Sequence, residues 1–396
     1  MEIRTITAGA READIACAAQ AAQLARKRLE AAGYVVQSLR LALSISGSNR
    51  CADFATVAQG AEQQALDAGF DCVSIGRVDI ERLGQLADGI AATQALFASA
   101  RIAGRDGRAD HAAIRAAAQA IIAISAATEH GFGNLRFAAL ACVAPGSPFF
   151  PAAFHHGDGP WIAVGPEAAA LAVEAIANCK LQIADWAPLN LQSGVLRANL
   201  QSAIEKHDAR IAAALKDVEA ETRVYFAGCD WSLAPHPDPA RSIGAAIEQL
   251  SGVPFGAWGT LAAVRALTSA IRSARVTQLG FSGVMLPVLE DPILAQRNAE
   301  GRYTLRDLLA FSAVCGTGLD TIPLPGDSTV EQISGVLEEL AALAGALRKP
   351  LTARLLPMPG LQAGDLTTFA AISDSPMAGG LCDSRVMRIA GWGVSS

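Results

Sequence analysis

Residues 319–355 read LDTIPLPGDSTVEQISGVLEELAALAGALRKPLTARL, and this stretch decides the fold class. Leu319–Pro323 and Leu351–Leu355 are short, mostly apolar runs of strand character, and Val330–Leu347 between them carries a helical pattern. Ser328 stands where a helix cap is needed, with Glu331 in the first turn. Strand, helix and strand in that order imply two parallel strands joined by a right-handed crossover.

Working outward, the same alternation fills the chain. Candidate strands are Ile3–Thr7, Val35–Ser44, Cys72–Arg77, Arg136–Val143, Trp161–Gly165, Arg223–Ala227, Leu279–Met285, Leu319–Pro323, Leu351–Leu355 and Val386–Ile389. Helical patterns separate most of them: Glu12–Ala32, Ala52–Ala68, Ile80–Ala98, His111–Thr128, Glu167–Asn178, Val195–Val218, Ala257–Ser273, Leu305–Ala313 and Val330–Leu347. Asp53 lies at a helix start and Gly33 at a helix end. The strands are near-continuous apolar runs, as expected where both faces are buried. About ten strands crowd an open sheet, so the expectation is an α/β barrel forming one domain over residues 1–396. Four loop-rich stretches remain: Pro145–Pro160, Asp185–Gln192, Gly228–Pro239 and Gly360–Asp383. Long loops in a compact domain usually carry function or lack order.

A net charge of −6 with no basic stripe argues against nucleic acid or an anionic membrane as partner. The start, Met1-Glu2-Ile3-Arg4, has no apolar run behind it, and Ala112–Ala127 is broken by Arg115 and Gln119, so neither a signal peptide nor a membrane span is expected. Eight cysteines, at 17, 51, 72, 142, 179, 229, 315 and 382, form no CxxC pair and read as reduced, mostly buried thiols. The expected setting is cytoplasmic, the expected partner a small molecule, and self-association into a homo-oligomer stays open.

Several segments carry a resemblance: IRTIT at 3–7, NLRFAAL at 134–140, PGSPFFPAAFH at 145–155, GCDWSLAP at 228–235, FGAWGTLAAV at 255–264, GFSGVMLPVLED at 280–291, VCGTGLDTIPLPGD at 314–327, KPLTARLLPMPG at 349–360 and Ala363-Gly364-Asp365. On these the chain is identified as a member of domain-of-unknown-function family seven-one-one, whose members resemble the barrel core of pyruvate formate-lyase. The resemblance implies a ten-stranded α/β barrel and supplies no reaction. Likeness of fold to a radical enzyme is an analogy, not a mechanism.

Five constellations bear on chemistry. Radical enzymes on this barrel use a C-terminal Arg-Val-Ser-Gly-Tyr loop facing a loop cysteine; this chain has Arg388-Ile389-Ala390-Gly391-Trp392-Gly393 and Cys315. Trp392 stands in place of the Tyr, and Gly391 reads equally as a strand end, so no glycyl radical is expected. His155, His156 and Asp158, with Glu129-His130, Cys229-Asp230 and His236-Pro237-Asp238, place imidazoles and carboxylates in long loops. They would suit Zn²⁺ or Fe²⁺, or be surface histidines and carbonyl partners, since no spacing is a known ligand motif. Asp230, Glu290, Asp291, Asp320, Asp327 and Asp365 mostly follow strands, where barrels assemble acid–base groups and where an Asp equally caps the next helix. Cys315 is either a nucleophile or a small core residue. Arg354 and Lys349 are available for an anion beside a proline- and glycine-punctuated rim. No phosphate loop and no GxGxxG after a strand is present, so a nucleotide cofactor is not expected.

The leading expectation is an enzyme of small-molecule metabolism acting on a carboxylate or other anion at the barrel mouth. His155, Asp230, Asp291, Cys315 and Asp320 are its candidate catalytic residues, Arg354 and Lys349 its anion holders, and His155, His156 and Asp158 its candidate metal ligands. The competing expectation is a non-catalytic barrel that binds a metabolite and regulates a partner. Convergent titratable groups would mark the first, and an apolar pocket with one or two polar anchors the second.

Overall fold

The computed structural model of the chain describes residues 1–44, 53–157, 159–182, 189–234, 238–369 and 380–389. Nine strands form one sheet: β1 (Ile3–Gly9), β2 (Leu39–Ala42), β3 (Cys72–Arg77), β4 (Leu96–Ala103), β5 (Phe137–Ala141), β6 (Trp161–Pro166), β7 (Tyr225–Cys229), β8 (Gly318–Pro325) and β9 (Leu351–Met358). Their order is β7-β6-β1-β2-β3-β4-β5-β9-β8. β1 to β5 are parallel, β6 with β7 and β8 with β9 are parallel pairs, and the seams β1–β6 and β5–β9 are antiparallel. Helices link successive strands except β5 and β6, which a long loop joins, and the main apolar core runs from Ile3 to Met387. Among the described residues, no helix is long and apolar enough to cross a membrane.

Eight of the ten expected strands are present. Leu279–Met285 makes only isolated bridges: Gln278 to Cys229 beside β7, Val284 to Leu233, and Pro287 to Asp320 of β8. Its ladder fails because the Asp230 carboxylate takes the N–H groups of Phe281 and Ser282, while Gly280 and Ser282 have positive φ. Val386–Ile389 is also not a strand, and Arg385 bridges Leu366 instead. Conversely, the end of the expected helix Ile80–Ala98 belongs to β4. Its sequence, LFASARIA, is alanine-rich and of ambiguous period, and burial between β3 and β5 decides it. The cap before Val330 is Thr329, not Ser328, because Thr329 and Gln332 close a reciprocal capping box. Asp53 and Gly33 act as expected, Asp53 accepting from Thr56 N and Gly33 turning at positive φ.

The loop after β5 shapes the interior. Ser147 to His155 is buried throughout, and the loop is stitched to β1 and β3. Thr7 Oγ1 donates to the Pro148 carbonyl and Ser74 Oγ to that of Ala153, both at 2.7 Å. The loop leaves the C-terminal end of β5 and folds back over β1, the end of β2 and β3, where His155 N also donates to the Leu43 carbonyl. Of the seven cysteines among the described residues, all are free, and Cys142, Cys179, Cys229 and Cys315 are buried.

Candidate functional site

A cavity of about 560 Å³ remains beyond the loop tip. It is lined by Arg4, Arg40, Cys72, Phe97 and Ala138, each the first or second residue of one of β1 to β5, and by Asp320 and Arg354 of β8 and β9. The void therefore lies where β1 to β5 begin. Toward the opposite ends of β1, β2 and β3 stands the buried loop, bonded to Thr7, Leu43 and Ser74. Phe149, Phe150, Pro151 and Ala152 of the loop form part of the wall.

Two ladder irregularities aim charged side chains. The β1–β6 register shifts between Ile3 and Thr5, at Arg4, and the β8–β9 register shifts between Leu319 and Ile322, beside Asp320. Thr321, a β-branched residue, takes φ +46° there. Bulges and such backbone outliers re-aim side chains and occur disproportionately at functional sites.

The charged groups converge. Arg354 Nε donates to Asp320 Oδ1 at 2.5 Å and Nη2 to Glu290 Oε1 at 2.8 Å, while Arg4 Nη2 lies 3.8 Å from Glu290 Oε2. Burial pushes Glu290 up, but Arg354, Arg4 and Arg40 outweigh it and hold the carboxyl below its usual range. Burial lowers the Arg354 pKa, and Asp320 and Glu290 reverse this to raise it. Arg136, also in the wall, donates to Thr93 Oγ1 and to the carbonyls of Leu96 and Ile90. Arg40 differs from Arg4 and Arg354. Its Nε donates to Ser38 Oγ at 3.0 Å, its guanidinium lies 5.5 Å from the centre of the Phe150 ring, and Nη1 and Nη2 have no acceptor among the described residues. Ser38 Oγ is fixed in turn by donating to the Arg4 carbonyl. Burial lowers the Arg40 pKa, with Cys72 opposing, then Arg4 reinforcing and Glu290 opposing. Burial likewise raises the Cys72 thiol.

Of the expected site residues, the cavity brings together Asp320 and Arg354. The others named for catalysis or anion binding line no part of it. Asp230 accepts from Ser232 N and Oγ, Phe281 N and Ser282 N, tying the bent segment to the end of β7. Asp291 accepts from Ile293 N, Leu294 N, Ser242 Oγ, Ile243 N and Gly244 N, so one carboxylate holds the N-termini of two helices, Ile243–Ser251 and Pro292–Ala299. Burial raises the pKa of both aspartates. Cys315 is a fully buried core residue facing Gly318 N. Lys349 donates to the Ser312 carbonyl at 2.7 Å, neutralising the C-terminus of the helix Leu305–Ser312. Burial lowers its pKa.

His155 is buried, with Nε2 3.1 Å from the Gly157 carbonyl and Nδ1 without a partner among the described residues. His156 is exposed. Asp158, His236 and residues 390–393 lie outside the described residues. Among the described residues, no three His, Cys, Asp or Glu side chains converge as a metal site.

Arg4, Arg40 and Cys72 were not singled out by sequence. A usable signal was present for the arginines: each stands, like Arg354, inside an apolar run expected to be buried on both faces. A cation there needs a partner or a ligand.

Fold and site together define a mixed α/β protein with a nine-stranded, mostly parallel sheet and a cavity lined by four arginines (Arg4, Arg40, Arg136 and Arg354) and two carboxylates. The chain belongs to the family described as Uncharacterised ACR (DUF711), whose model matches residues 1–374. Relatives carry the name UPF0210 protein. One from Pyrobaculum aerophilum is 30% identical over 75% of this chain and 65% of its own length. Another, from Pyrobaculum arsenaticum, is 38% identical over 40% of this chain and 39% of its own length. A third, from Clostridium perfringens, is 24% identical over 87% of this chain and 79% of its own length. The chain thus spans less than two thirds of the length of both these Pyrobaculum relatives.

Proposed function

We propose that the protein is an enzyme that binds a small anionic metabolite in this cavity and moves a proton on it. The observation that carries the proposal is Arg40, a partly buried cation whose terminal nitrogens face no protein acceptor among the described residues. A buried guanidinium without an acceptor is unfavourable, and its planar fork suits an anion. Arg4 and Arg354 add to the attraction. Glu290 and Asp320, held ion-paired by Arg354, sit within the same wall as candidate proton acceptors. Convergence of ionised groups within hydrogen-bond reach favours an enzyme over a purely binding barrel.

In the same reading the sheet is a closed, single-domain barrel similar to that of pyruvate formate-lyase. Its support is the bent segment 278–287, which bridges β7 on one side and β8 on the other. Two five-membered parallel halves would then meet at the two antiparallel seams.

The test is thermal denaturation of the wild-type protein and of Arg40→Met in the presence of a panel of small carboxylates and phosphate esters. Stabilisation of the wild type alone by a panel member is the expected result. Equal stabilisation of both proteins, or of neither, overturns the proposal.

A further inference from the structure

The other ends of the strands carry a second set of cations. Arg77 is the last residue of β3, and Arg101 lies in the second half of β4. The β3–β4 register shifts between Ser74 and Arg77, and the β4–β5 register shifts between Arg101 and Ala103. The first shift requires Gly76, which takes φ +75°. A Cβ there would lie 2.8 Å from the Leu43 carbonyl oxygen and 2.9 Å from Phe154 Cβ. Beside the second shift, Cys142 takes φ +59° and donates its N–H to the Ala103 carbonyl. Three polar side chains come to one face in this way. Ser99 and Arg101 stand opposite Ala138 and Leu140 of β5, both members of the apolar cluster that holds Phe154. The Arg77 guanidinium lies 4.3 Å from the centre of the Phe154 ring. Arg77 pairs in register with Ser99, and Arg101 follows Ser99 on the same side of β4.

We infer that Arg77 and Arg101 form a second anion site, which takes a small oxyanion, a carboxylate or phosphate group, between their guanidiniums. None of Arg77, Ser99 and Arg101 lines the cavity, so the site is independent of what the cavity binds. The first observation is charge. Neither guanidinium has a hydrogen-bond acceptor or an ion-pair partner among the described residues, and Arg77 is partly buried against Phe154. Burial lowers the Arg77 pKa and the Arg101 charge lowers it further; Asp79 opposes, but it is exposed and makes no ion pair with Arg77. Two like charges within electrostatic reach of each other, without a counter-charge, are relieved by an anion that bonds to both. The second observation is Ser99. Its Oγ is buried and without a partner among the described residues, an unsatisfied hydroxyl in register with Arg77. The third is the backbone. Two register shifts and a non-glycine residue at positive φ gather at these strand ends, and such features concentrate beside functional sites. Guanidinium forks match carboxylate and phosphate oxygens alike, so the shared chemistry is that of an oxyanion.

Calorimetric titration of the full chain at low ionic strength, with inorganic phosphate and with acetate as probes, tests the site. At least one probe should bind the wild type and Arg40→Met with the same affinity, and the tighter of the two probes shows which oxyanion the site prefers. Arg77→Met, which keeps an unbranched side chain against Phe154, should weaken that binding by about tenfold or more. Arg101→Met should do the same, since each variant removes charge-assisted hydrogen bonds. Arg101 is exposed, so comparing its variant with the wild type decides the matter even where Arg77→Met does not fold. Binding of neither probe to the wild type, or binding by Arg101→Met at wild-type affinity, would overturn the inference. Binding that Arg40→Met abolishes and Arg101→Met leaves intact would overturn it too, and would assign the anion to the cavity alone.

Discussion

Replacing Arg354 by Met removes the cation shared by Asp320 and Glu290 while keeping an unbranched side chain of similar reach. The three side chains are 14%, 9% and 17% exposed, so solvent does little to screen the two carboxylates left behind. Breaking a buried pair by removing one partner costs about 3–5 kcal/mol. Arg4, 3.8 Å from Glu290, still compensates in part, which places the expected loss near the lower end of that range. The pH dependence has a definite sign. In the wild type Glu290 titrates below its ordinary range, so its contribution to stability is present at neutral pH and is lost as pH falls through the depressed value. Without Arg354, burial dominates and the Glu290 pKa rises. The gap between wild type and variant is then widest near neutrality and narrows on acidification as Glu290 takes up its proton. Urea denaturation followed by tryptophan fluorescence, at about pH 8 and about pH 5, reads both effects as shifts in midpoint at constant slope. A loss under roughly 1 kcal/mol, the range of exposed pairs, or a gap that does not narrow in acid, would refute the reasoning.

Asp291→Ala should lower stability by about 2 kcal/mol or more, because it uncaps two helices at once and strands buried donors; Asp291→Asn should recover part of this in the same urea assay, and equal losses in the two would contradict the shared-cap account. Gly9→Ala should destabilise by roughly 1–3 kcal/mol, since a Cβ there would lie 2.0 Å from Trp161 Cε2, and a variant as stable as wild type would show the packing to be looser than described. His155, whose pKa is lowered first by burial, should titrate below the free imidazole value of about 6.5 in a nuclear magnetic resonance pH series, costing stability as pH drops below that value. A midpoint at or above it would contradict the burial described.

The strand–helix alternation was legible because strands such as β1, β3 and β9 are buried on both faces and therefore mostly apolar. β4 was missed because alanine serves a buried strand as well as a helix, so its period says little. Gly280–Met285 misled for the opposite reason. Its residues suit a strand, but Asp230, some fifty residues earlier, claims the N–H groups a ladder would use. The same long-range effect decided the site. Asp291, Asp230 and Lys349 are chemically capable residues turned to structural work by helix ends and backbone donors that sequence alone does not place beside them. Arg4 and Asp320 owe their direction to register shifts, which only the paired strands reveal. Arg354 and Asp320 were readable as candidates, yet they pair with each other, and the proposed anion partner is Arg40.

Bromide soaked into crystals of the protein tests the central claim most directly, since a bromide ion is a monovalent anion that anomalous scattering locates without prior assumptions. The account predicts an anomalous peak inside the cavity, within hydrogen-bond reach of Arg40 Nη1 or Nη2 and absent from Arg40→Met crystals. Bromide sites confined to the outer surface, with the cavity and Arg40 unoccupied by any anion, would contradict it.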